Sequence, residues 1–244
     1  MTTKTPVPET VHELVGELAA GLIGSWQSRY LRDDAQAVAA LARLRRGAGR
    51  PAGQLPDLWG LIDISPLHEV RIKGRRLSEN ELAYAEEAVY LACTLWAVHQ
   101  QARSTGMHQR HRRDRPRGLG AAVHRLMAPG EIDEPLRRRF VRAGTASDLT
   151  TLGQRLRDIV TLLRGREVRL DYALLAAQLY QWQWPGGAHA VRSAWGSSFH
   201  AWREEHETRS SGAPADAASA DAASGGRGIP APTVSPDSTA KDAS

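Results

Sequence analysis

Between His108 and Arg142 the sequence places ten arginines against four acids, and in this stretch the residue types could do chemistry. A guanidinium is a planar, permanently charged fork of donors that meets phosphate oxygens two at a time. Arg110, Arg112, Arg113, Arg115 and Arg117 fall in a run punctuated by Pro116 and Gly118, too charged to pack, which reads as a surface loop. Arg137, Arg138, Arg139 and Arg142 fall on a predicted helix whose Leu136 and Phe140 face inward. A smaller group stands earlier, where Arg43 and Arg46 lie opposite an apolar stripe and Arg45 on its flank. Guanidiniums on a loop and on helices suggest a surface that holds phosphates, because contacts of this kind position a nucleic acid without reading it.

Other chemistries find little support. His108, His111 and His124 form the one histidine cluster, but they lie among arginines that would repel a divalent cation, and no carboxylate or cysteine completes a site. Gly118-Leu119-Gly120 lacks both the lysine and the preceding strand of a phosphate-cradling loop. There is no nucleophile elbow, and Glu86 and Glu87 point to different helix faces, so no acid–base pair is visible. Cys93 stands alone, which excludes an internal disulfide and a thiolate metal cluster. A non-catalytic protein without a cofactor or metal is the expectation.

Helices must carry the arginines. Thr10 is a plausible N-cap ahead of Val11, Leu14, Leu18, Leu22, Trp26 and Tyr30 at helical spacing. Asp33 and Asp34 can cap a second helix with Val38, Leu41 and Leu44 on one side, ended by Gly47, Gly49 and Pro51. Pro56 to Ile62 reads as a short helix carrying Trp59, and Val70 to Lys73 as a brief strand. Ser78 and Glu81 form a capping box before a long helix striped by Leu82, Ala85, Val89, Ala92, Leu95, Trp96 and His99. Leu119 to Met127 makes a short helix, and Asp133 caps the arginine helix with Pro135 in its first turn. Ser147 is expected to cap the next, striped by Leu152, Leu156, Ile159 and Leu163, with Arg155 and Arg157 on its flanks and Gly153 inside it. Asp171 opens a helix ended by Pro185, and a last one sets Val191, Trp195, Phe199 and Trp202 on one face. Trp182, Trp184, Trp195 and Trp202 could stack bases, but aromatics at helical spacing are expected in the core.

The charge is divided. Residues 210–244 hold four Asp against Arg227 and Lys241, a net of −2 within the chain's +5, which leaves +7 on residues 1–209. That tail is Ala, Ser, Gly, Pro and Asp without periodicity, and reads as disordered. The expected architecture is all-α: an N-terminal bundle over residues 1–107, a basic loop and C-terminal bundle over 108–209, and the tail. No apolar run approaches a membrane span, and the first ten residues lack the pattern of a signal peptide, so a cytoplasmic protein is expected. A basic folded part fits a polyanionic partner.

A set of motifs in order carries a more specific resemblance: Leu119-Gly120-Ala121-Ala122-Val123, then Arg138-Arg139-Phe140, Leu156-Arg157-Asp158-Ile159-Val160, and Asp171-Tyr172 with Leu174-Leu175, followed by a Trp-rich end. Trp26 and the helix ending Arg45-Arg46 add to it. Over roughly residues 20–205 this resembles the CasB family, the small subunit of the type I-E CRISPR surveillance complex, Cascade. The resemblance implies an all-helical, non-enzymatic subunit that pairs with a second copy of itself among other Cascade subunits and the guide RNA. Such a subunit presents basic surfaces to the target DNA backbone and the displaced strand. Carried onto matching positions, the contact residues are Arg45, Arg46, Arg138, Arg139 and Arg157, with Arg110, Arg112 and Arg113 of the loop as further candidates. The rival reading, a free-standing all-helical DNA-binding regulator, needs a helix-turn-helix that is not evident here.

Overall fold

The computed structural model describes residues 9–54, 56–112, 117–128 and 133–211, the last ten of these as backbone only. The first three helices are α1 (Val11–Tyr30), α2 (Ala35–Gly47) and α3 (Ser65–Glu69), and the long α4 spans Glu79–Gln100. After the basic loop come α5 (Leu119–His124), α6 (Glu134–Gly144), α7 (Leu149–Gly165), α8 (Tyr172–Trp182) and α9 (Gly187–Ser211). Among the described residues no strand forms, and the architecture is all-α. No described helix is long and apolar enough to cross a membrane.

α4 is the axis of the molecule. From Ala88 to Gln100 every residue is buried, because α1, α2, α7 and α8 pack around it. The stripe expected on this helix is therefore replaced by burial on all faces, which is how a helix with small and apolar residues all round behaves. Its start is the expected capping box: Ser78 Oγ accepts from Glu81 N–H at 3.3 Å, and the Glu81 carboxylate accepts from Ser78 N–H at 2.8 Å. Arg75 holds the same carboxylate at 2.6 Å, and that guanidinium is the main reason the Glu81 carboxyl falls to about 2. Buried in the middle of α4, the Cys93 thiol is pushed up to about 12.

The expected boundary near residue 108 falls between α4 and α5, and the apolar core runs across it. α1 lies against α8, where Gly16 comes so close that a Cβ there would stand 3.1 Å from the Ala173 carbonyl oxygen. Gly153 of α7 meets Leu91 of α4 in the same way, at 3.0 Å, which explains a glycine inside an apolar stripe. Tryptophans fill this core: Trp96 is fully buried, and Trp182 stacks on Trp195 at 5.7 Å. Trp184 meets Tyr84 edge-on at 5.1 Å.

Several local expectations are corrected. Val38 is 46% exposed; Ala37 and Ala40 join Leu41 and Leu44 in the buried face instead, because α2 presents its small side to α4. The segment at Pro56 is one 3-10 turn, Pro56–Leu58, and Trp59 beyond it is 62% exposed. Val70 to Lys73 forms no strand: Ile72 and Arg75 bridge across a tight turn whose Lys73 and Gly74 take positive φ of 51° and 80°. Ser147 does not cap α7. Asp148 does, accepting from Thr151 N–H at 2.7 Å, while the Ser147 hydroxyl donates to the Asp148 carboxylate. The Leu119 helix ends at His124, and α9 continues through Ser211, past the expected start of the tail. Residues 212–244 lie outside the described residues.

Candidate nucleic-acid interface

α7 brings the separate arginine groups together. On one side it meets the turn that follows α2, where Gly49, at φ 82°, lies so near that a Cβ on it would stand 3.3 Å from the Gln154 Cα. There the Arg157 guanidinium donates to the Ala48 carbonyl oxygen at 3.4 Å. Arg157 is thus held beside the C-terminal end of α2, the end that carries Arg43, Arg45 and Arg46. Arg43 and Arg46 are exposed and Arg45 half-buried, as their helical positions imply. Two cations in the last turn of α2 also suit its negative carbonyl end.

On its other side α7 packs on α6. The Arg155 guanidinium donates to the Arg142 carbonyl oxygen, and Arg192 of α9 donates to that of Gly144 at 3.3 Å. These two arginines satisfy carbonyls at the end of α6, so their role is to fix the helix. Arg137 is drawn to Glu134 at 3.2 Å. Arg138, Arg139 and Arg142 remain exposed, and among the described residues none makes an ion pair. Inward, Phe140 of the same helix stacks on Phe199 at 5.7 Å and lies 6.3 Å from Trp195, which sets the arginine face outward.

The basic loop differs from a free loop at both of its ends. Gln27 of α1 and His108 exchange two hydrogen bonds, one from His108 N–H to Gln27 Oε1 at 2.8 Å and one from Gln27 Nε2 to the His108 carbonyl at 3.2 Å. Gln100, fully buried, accepts from Met107 N–H at 2.9 Å and donates to the Thr105 carbonyl at 2.9 Å. Asp171 then fastens the loop's base. One carboxylate oxygen caps α8 through Ala173 and Leu174 N–H, and the other accepts from His111 N–H at 2.7 Å. Its own N–H donates to the Arg117 carbonyl at 2.9 Å. His111 Nδ1 accepts from Arg117 N–H at 3.1 Å, which closes the loop's neck.

The loop arginines are engaged differently from those on the helices. Arg110 pairs with Glu17 of α1 at 2.5 Å, an exposed pair that competes only weakly with phosphate. Arg112 also has a partner within the protein. Arg113 lies outside the described residues. Beyond the loop, Arg125 was not flagged by the sequence; burial, and then the neighbouring Arg117 cation, push its guanidinium down to about 10. The three histidines do not converge. His108 Nδ1 accepts from Tyr172 N–H at 3.1 Å, His111 closes the loop, and His124 lies edge-on to Phe199 at 5.1 Å.

Residues 40–200 match the sequence profile of CRISPR-associated protein Cse2. The chain belongs to the Cse2 family. The matched stretch begins within α2 and ends in α9, so it contains every arginine of the candidate interface. The Cse2-family chain is similar to the crystal structure of CasB from Thermobifida fusca, with 46% identity over 79% of this chain and 99% of that one, and a TM-score of 0.68. It also shares its fold with a chain of a CRISPR RNA-guided surveillance complex, at 20% identity over 80% of this chain and 99% of that one, with a TM-score of 0.56. No curated protein matches the chain.

Proposed function

We propose that this protein is a non-catalytic small subunit of a type I-E CRISPR complex, where its arginine faces hold nucleic-acid backbone and stabilise the opened target. The observation that carries this reading is the placement of two arginine groups, exposed except for the half-buried Arg45, along one helix. Arg157 is held at the turn after α2, the helix whose last turn carries Arg45 and Arg46, and Arg138, Arg139 and Arg142 lie on α6, which packs on α7. Membership of the Cse2 family supports it, as does the fold shared with a chain of a CRISPR RNA-guided surveillance complex. Sequence is then read by base pairing to the guide RNA, and this subunit supplies guanidiniums to phosphates. Exchange of a DNA duplex for a guide–target duplex is nearly balanced energetically, so backbone contacts tip it. The other subunits, the guide RNA, target DNA and a second copy of this chain are the proposed partners.

The test is reconstitution with the neighbouring subunits and guide RNA. Arg138→Glu with Arg139→Glu should assemble normally, because both side chains are exposed and surface changes of this kind alter stability by no more than about 0.5 kcal/mol. Permanganate footprinting should then show fewer reactive thymines in the displaced strand than with the unaltered protein. Equal strand opening in this variant and in Arg45→Glu with Arg46→Glu would remove the assignment.

A further inference from the structure

Between α6 and the C-terminal end of α7 lies an open groove of about 310 Å³. Leu126, Leu136 and Leu162 give it an apolar floor, and Arg139, Arg166 and Thr161 stand at its polar rim. A row of guanidiniums that only follows a phosphate chain needs no such hollow. Among the described residues one acid lines the rim, Asp133, and it is committed: its carboxylate accepts from Leu136 N–H at 2.9 Å to cap α6. Arg139 and Arg166 are exposed and, among the described residues, have no acid partner. Gly165 adds no side chain to the groove, and among the described residues a Cβ there would meet nothing within 4 Å.

A site with an apolar floor and two cations at its edge fits a ligand that is flat and apolar at one end and anionic at the other. We propose that this groove seats one unpaired nucleotide of a single strand, with its base against the three leucines and its phosphate on Arg139 and Arg166. The volume suits a ligand of that size, since small-molecule sites begin at about 300 Å³. A duplex keeps its bases stacked inside and cannot offer one, whereas an unpaired strand can splay a base outward. The groove therefore gives the arginine surface a preference for unpaired strands, which phosphate contacts alone do not provide. It also adds Arg166 and Thr161 to the residues that matter. This inference rests on the proposed nucleic-acid function and deepens it.

The test uses the full chain and two probes of equal length, oligothymidylate and the same sugar–phosphate backbone made abasic throughout, followed by fluorescence anisotropy. Seating a base should make oligothymidylate bind about tenfold tighter than the abasic strand. Thr161→Met intrudes on the groove without changing charge or adding a ring on which a base could stack, and it alters an exposed position, so circular dichroism should be unchanged. It should reduce oligothymidylate binding to the abasic level and leave abasic and duplex binding as they were. Gly165→Met, one turn along the same face of α7, should act alike. Equal binding of both probes by the unaltered protein would overturn the groove while leaving the arginine surface standing, as would an unchanged preference in both filled variants. Absence of salt-sensitive binding to either probe would overturn the surface and the groove together.

Discussion

Gly120→Ala adds one methyl group at the point where α5 meets α9. A Cβ on Gly120 would stand 2.0 Å from the Trp195 carbonyl oxygen, 2.3 Å from Ser198 Oγ and 2.8 Å from Phe199 N. Two of these atoms are α9 backbone, which cannot rotate aside. Carbon–oxygen contacts of this kind settle near about 3.3 Å, so α9 must withdraw by more than about 1 Å. That movement loosens Phe199 from Phe140, now 5.7 Å apart, and from His124, now 5.1 Å. Overpacking costs about 1–3 kcal/mol, and a clash with backbone belongs at the upper end. A loss of about 3 kcal/mol in a chain of this size lowers Tm by roughly 6–12 °C. The control is Gly21→Ala on α1, where a Cβ would meet nothing within 4 Å. Its added methyl restricts the unfolded chain and should stabilise by about 0.5–1 kcal/mol. Differential scanning calorimetry on both variants makes the comparison. A Gly120→Ala protein that melts within about 2 °C of the parent would contradict the α5–α9 contact.

Three further outcomes follow from the same structure. Burial lowers the His99 imidazole to about 3, so the folded protein excludes a proton that the unfolded chain binds below its ordinary 6.5. The resulting stability is present above pH 6.5 and lost as pH falls toward 3, at up to about 1.4 kcal/mol per pH unit; His12 and His108 are shifted the same way by burial. Thermal melts between pH 7 and 5 should decline, and His99→Leu should flatten the decline. Asp171→Asn keeps one oxygen for the α8 cap but turns an amide donor toward the His111 N–H, and should cost about 1.5–3 kcal/mol in urea unfolding with faster proteolysis at Arg110 to Arg117. Truncation after Ser211, the end of the compact unit, should leave circular dichroism and Tm unchanged, and a large drop in either would move that boundary.

Local signals carried much of the fold, and packing supplied the rest. Thr10, Asp34, Ser78, Asp133 and Asp171 each cap the helix their position announces, because a cap depends only on residues within one turn. Ser147 and Asp148 are both capable caps side by side, and only the backbone geometry selects Asp148. The all-round burial of α4 is invisible to periodicity, since it depends on how many helices surround it. The arginines were legible as types and faces; their grouping was not. Arg157 joins Arg45 and Arg46 through a contact spanning 109 residues, and no spacing rule reaches that far. Arg155 and Arg157 look equivalent in sequence, yet one caps α6 and the other stands beside α2. Gly118-Leu119-Gly120 lacks the lysine and strand of a phosphate loop, but its sequence alone does not disclose the packing role that the structure gives Gly120.

The central claim, that both arginine groups hold nucleic-acid backbone, is tested most directly by the salt dependence of target binding. The measurement is the affinity of the reconstituted complex for target DNA over a range of salt, with the natural chain and with Arg45, Arg46, Arg138 and Arg139 all changed to glutamate. Each phosphate released from a guanidinium removes about 0.7–0.9 from the log–log slope. The account predicts a slope shallower by about 3 and weaker binding at low salt, with assembly and guide RNA content unchanged. An unaltered slope in a fully assembled complex would contradict it.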